Sequence, residues 1–288
     1  MAEAGLSPAA DLVRRLDRPL FLAALFAPEP ARERLMVLGA FDIELSRAAA
    51  RGRGAGVGAE EGPLLARMRL QFWRDRLGAA ERGEAPDALV AAHEVAGPFH
   101  DLMTGALAPG IADAHAMITA REIELAAPLD RAGWEDWAEA RFAACYRLSL
   151  AALGIAPSEA LTRAADAAGL LAAAGFTLRH AAPMARDGVV LLPGAEPETA
   201  GRLVRGEPND AERAAIAALV AEGEAARRKL SALRRALGRR AAPAFLPLIR
   251  AERTIRGAKA GAALADLAAD TDAVLAPPYT WRALTGRW

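Results

Sequence analysis

Arg179 and His180, with Arg186 and Asp187 close behind, are the side chains best placed to do chemistry in this sequence. They follow the small-residue run AADAAGLLAAAGF (164–176) and precede the apolar run GVVLLP (188–193). A guanidinium beside an imidazole suits an anionic or polar head, such as a phosphate or a quinone. Alanine and glycine let neighbouring backbones approach closely, or let a long thin apolar ligand lie along them. The stretch reads as a helix, a polar break carrying Arg179 and His180, and a strand-like segment closed by Pro193. Together they make an apolar groove leading to a polar mouth. The plainer reading of the pair is a set of cations at a helix end, near free carbonyls.

Other candidates are weaker. Asp42 and Glu44 are carboxylates that could hold a metal, but residues two apart on a helix diverge in direction. Asp42 is one turn before Ser46 on the same face. The string MRLQFWRDRL (68–77) carries Arg69, Trp73, Arg74 and Asp75. It reads either as a helix that packs its tryptophan and pairs its charges locally, or as one wall of a cavity. His93, His100 and His115 lack metal-ligand spacing. Cys145 and Tyr146 read as core, and no histidine and acid near Cys145 mark a nucleophile.

These side chains need a scaffold, and the composition allows a large one. The chain has 288 residues, 53% hydrophobic and 25% charged, so it can bury a sizeable core. Lys+Arg and Asp+Glu are both 36, a balance that argues against a nucleic-acid partner. The single cysteine forms no internal disulfide and fits a reducing compartment. No secretion signal is expected at the N-terminus, and no run is apolar enough to span a membrane. The expected location is cytoplasmic, or peripheral at the inner membrane.

Helical periodicity dominates. Ser7-Pro8 reads as an N-cap followed by a first-turn proline. Helices are predicted from Pro30 to the glycine-rich RGRGAGVGAEEG loop, over 64–77, 87–95, 98–107 and 111–125, and from Trp134 to Gly154. Others run from Asp210 through Leu233, over 245–255 and over 262–274. The glycine-rich loop lacks the Gly-Lys-Ser/Thr of a phosphate loop. With no repeat of solenoid length and no convincing linker, 1–288 reads as one all-α domain of about a dozen helices.

Four stretches resemble the squalene/phytoene synthase family. They are RPLFLAALFAPEPARERLMVLGAFDIELSR (18–47), MRLQFWRDRL (68–77) and WEDWAEARFAACYRLSLAALG (134–154), with 164–193 and AFLPLIRAER (244–253) as the fourth. The resemblance implies an isoprenoid-synthase bundle around a central cavity. It also implies head-to-head joining of two allylic diphosphates, with Mg²⁺ held by two aspartate pairs. At the first pair this sequence has Ser46 and Ala50; at the second it has His180 and Met184. Ala173 and Phe176 replace the preceding glutamine and asparagine, and Arg179 is retained. AFDIELSR (40–47) with LRHAAPM (178–184) looks more like the divergent branch that includes mitochondrial complex I assembly factors. That resemblance implies the fold without the synthase chemistry and no cofactor. Its expected partners are an isoprenoid or lipid ligand and respiratory-complex subunits. The alternative is an active Mg²⁺-dependent prenyl transferase using Asp42 and Glu44. Asp42, Ser46, Arg69, Trp73, Arg74, Phe176, Arg179 and His180 are the candidate cavity and head-group residues. Arginines 227, 228, 234, 235, 239 and 240, with Lys229, could meet an anionic membrane; the plainer reading is a solvated face balanced by Glu222 and Glu224.

Overall fold

Capping chemistry sets many of the boundaries. In the computed structural model, which describes residues 5–50, 61–125, 127–268, 276–286 and 288, the Ser7 hydroxyl accepts the Ala10 N–H at 3.1 Å to open α1 (Pro8–Leu16). Asp17 does the same for α2 (Arg18–Ala24), accepting from Leu20. There follow α3 (Ala31–Ala50), α4 (Glu61–Glu81), α5 (Ala88–Ala92), α6 (Ala96–Thr104) and α7 (Ile111–Leu125). Next come α8 (Arg131–Ala138) and α9 (Ala144–Ala152), joined without a break by a π-helical turn (Glu139–Ala143). The second half holds α10 (Glu159–Arg186), α11 (Thr199–Arg205) and α12 (Asp210–Leu237). It closes with α13 (Ala242–Phe245), α14 (Leu248–Lys259), α15 (Leu264–Ala268) and α16 (Ala276–Thr285). A capping box between Asn209 and Glu212 opens α12.

The described residues contain helices and no strand, in agreement with the all-α reading. α10 is the central rod, packed by α12, α14, the π turn, α9, α11 and α15. Its small residues serve close approach. A Cβ on Gly175 would lie 2.7 Å from the Ala251 backbone of α14, and one on Gly169 2.6 Å from the Ala143 backbone of the π turn. α3, α4, α6 and α7 form a second layer, in which Phe41, Trp73 and Phe99 pack ring to ring. Buried apolar residues from Ala9 to Trp288 join in one main cluster.

Two sequence expectations are corrected. The polar break at 179–187 is helix as far as Arg186, with Pro183 inside it. A proline deletes one backbone donor, but the rest of this long helix is held by packing on several sides. The strand-like run at 189–192 is buried without forming a strand. Its Val and Leu side chains fill core space, and it has no neighbouring strand to pair with. The glycine-rich loop expectation covers 51–62: its first ten residues lie outside the described residues, as does 269–274 of the predicted 262–274 helix, while Glu61 and Gly62 already belong to α4.

Candidate functional site

Two hollows lie side by side where α3, α9, α10 and α14 converge, sharing Phe142, Tyr146 and Pro247 as a common wall. The first has roughly 710 Å³ of non-atom space, its open mouth included, and is lined by Leu35, Leu38, Asp17, Asp42, Arg141 and Cys145 among others. The second has roughly 440 Å³ and is lined by Gly175, Phe176, Arg179, His180, Arg250 and Thr254 among others.

Beneath the first hollow runs a buried polar network. Arg121 of α7, 1% exposed, donates to Asp42 at 2.6 Å, to Ser46 at 2.9 Å and to Glu124 at 2.9 Å. The Ser46 hydroxyl in turn donates to the Asp42 carbonyl at 2.9 Å. One Glu124 carboxylate oxygen also accepts from Arg141 at 2.6 Å and from Trp137 Nε1 at 3.1 Å. Burial by itself would lower the Arg121 pKa; the Glu124 and Asp42 carboxylates outweigh it and hold the guanidinium above its ordinary value. Burial first, then Asp42, pushes the Cys145 thiol up to about 12, so it carries no thiolate at neutral pH.

At the second hollow, charge is handled by stacking and neutrality. The Arg141 guanidinium lies 4.0 Å over the Phe176 ring. Phe176 lies against His180 with ring centroids 4.3 Å apart and the planes tilted by 35°. Burial, then Arg141, Arg179 and Arg250, push the His180 imidazole down to about 4. It is therefore neutral at pH 7 and can donate from one nitrogen while accepting at the other.

The structure brings Asp42, Phe176, Arg179 and His180 to the two hollows, with Ser46 in the network beneath the first. The other three candidates lie elsewhere. Arg69 is exposed. Trp73 is in the core against Phe41 and Phe99. Arg74 clasps Glu122 at 2.6 Å, binding α4 to α7. The packed tryptophan of the plainer reading describes this helix, but Arg74 pairs across to α7 rather than locally. Arg121, Glu124, Trp137 and Arg141 were missed by sequence reasoning. For Arg121 and Glu124 the signal was an arginine and a glutamate three apart on the face of α7 that also carries Met117 and Ile118.

A family model described as Squalene/phytoene synthase matches residues 13–271. The chain belongs to that family. No curated protein matches it. Among solved structures it is similar to the squalene synthase HpnC from Alicyclobacillus acidocaldarius, with TM-score 0.69 and 17% identity over 88% of this chain and 92% of that one. It is also similar to a dehydrosqualene synthase in complex with ligand, with TM-score 0.67 and 11% identity over 96% and 94% of the two chains. These likenesses establish the isoprenoid-synthase fold.

The side chains at the positions that the sequence resemblance sets against two acid pairs do not fit Mg²⁺. Ser46, Ala50, His180 and Met184 bring no carboxylate. Asp42 is engaged by Arg121, while Glu44 turns to Arg47 at 2.8 Å, so the two do not converge. Among the described residues no group of three His, Cys, Asp or Glu could hold a metal ion. Most of the basic tract is solvent-exposed, and after Lys259 the nearby Arg228 and Arg227 help hold the Glu224 carboxyl below its ordinary value. In direct contact, Glu222 pairs with Arg131 at 2.8 Å and Glu224 with Lys259 at 2.7 Å.

Proposed function

We propose that this member of the squalene/phytoene synthase family is non-catalytic and holds an isoprenoid or other lipid in the paired hollows, serving the assembly of respiratory complex I. The observation that carries the reading is the replacement of both acid pairs by groups with other duties: Ser46 in the Arg121 network, and His180 as a neutral ring lying against Phe176. The apolar walls and polar rim suit a long hydrocarbon with a polar head. The complex I role is supported by the resemblance of AFDIELSR and LRHAAPM to that branch. The proposed setting is the cytoplasmic side of the inner membrane, and no helix among the described residues is long and apolar enough to cross one.

Incubation of the pure protein with farnesyl or geranylgeranyl diphosphate and Mg²⁺ is expected to give no head-to-head product; sustained product would overturn the non-catalytic reading. Mass spectrometry of lipid released from the purified protein is expected to find an isoprenoid, and none at any preparation temperature would overturn the ligand. Deleting the gene is expected to lower assembled complex I on native gels, with subunit synthesis unchanged.

A further inference from the structure

We infer that the outer face of α4 docks the protein on an anionic bilayer surface. Leu64, Met68 and Phe72 recur every fourth residue, and Leu65 lies on the same side. Leu64 is 58% exposed, Met68 63%, Leu65 40% and Phe72 36%. At roughly 100° per residue the four span about a quarter of the helix circumference. α5 extends the face. His93 meets Phe72 ring to ring, Asp87 pairs with Arg76 at 3.2 Å, and the nearby Leu89 is 85% exposed. These five are a large share of the exposed big apolar side chains of the described residues.

Charge selects the occupant. Arg67 flanks one edge of the apolar band and Arg69 the other, and both are exposed with no ion pair among the described residues. Cationic stems at both borders of a narrow apolar stripe let the stripe enter the acyl boundary while the guanidinium groups meet lipid phosphates. Glu61 and Asp75, the latter accepting from Gln71 at 2.7 Å, close the two ends of the band, so the insertion is shallow and about three turns long. The tract on α12 has the charge, but its outward positions Arg228, Ser231 and Arg235 offer nothing apolar to insert. The inference rests on this surface and not on what fills the hollows, so vesicle binding and lipid content can fail separately.

The test is co-sedimentation of the full chain with phosphatidylcholine vesicles, with and without phosphatidylglycerol. Binding is expected only with phosphatidylglycerol, weakening as salt rises. Arg67→Gln and Arg69→Gln should each lower partitioning roughly five-fold, and Met68→Glu on the order of tenfold. All three positions are exposed, and unchanged thermal melts verify the fold. Arg228→Glu with Arg235→Glu should leave partitioning unchanged. Equal binding to both vesicle types, undiminished binding by Met68→Glu, or loss only in the α12 variant would overturn the inference. So would a dimer in gel filtration that Met68→Glu dissolves, because the occupant would then be a second copy.

Discussion

At the first hollow, Asp42, Arg121, Glu124 and Arg141 pair with one another through short contacts. At the second, His180 sits among arginines and is held neutral. Both arrangements meet the cost of burying polar groups, the first by pairing and the second by withholding a proton. Pairing makes a site sensitive to the loss of one member. Withheld protonation makes a site sensitive to pH and tolerant of substitution by a neutral ring or amide.

The contrast is broken most severely at Arg121. Arg121→Met leaves Asp42 and Glu124 without their shared partner and should cost about 3–5 kcal/mol in denaturant unfolding. Glu124→Gln in the same chain should recover part of it. A loss below about 1 kcal/mol would show that the network is not what holds this layer together.

The second hollow should respond to pH instead. The folded-state pKa of His180 lies below its unfolded value, so the unfolded chain takes up its proton first on acidification. Stability should fall as pH drops from 6.5 toward 4, by about 3 kcal/mol in all from this group. His180→Gln should flatten that part of the profile, and an unaltered slope would assign it elsewhere.

Gly175→Ala probes the close approach of α10 to α14 beside the same hollow. Its methyl would meet the Ala251 backbone, and the expected cost is about 1–3 kcal/mol in thermal unfolding. Ser46→Ala removes one bond to Arg121 while Asp42 and Glu124 remain, so a cost of about 1 kcal/mol is expected. A Ser46 effect as large as that of Arg121 would merge the two into a single unit.

Much of the scaffold was readable because its signals are local. The Ser7-Pro8 cap, the span 111–125 and the start of the long helix at Asp210 depend on side chains within one turn of the boundary. Arg179 and His180 looked like a break because short-range polarity resembles a loop, whereas burial on several sides keeps the helix going through Pro183. Val189 to Leu192 looked like a strand because β-branched and leucine runs carry that propensity; only the fold decides whether a second strand lies beside them. The network was the hardest part to see. Asp42 and Arg121 are 79 residues apart in sequence, and no pattern within α3 or α7 announces their contact.

The π turn between α8 and α9 gives the molecule one length-tolerant joint. It accommodates an extra residue in what is otherwise a continuous rod. Excising one residue there would leave an ordinary α-helix with everything downstream in nearly its present phase relative to Trp137. Cys145 and Tyr146 would stay at the chamber wall. A one-codon deletion in this turn should therefore be milder than one in the regular helix of α9, where about 100° of rotation would follow for every residue beyond it.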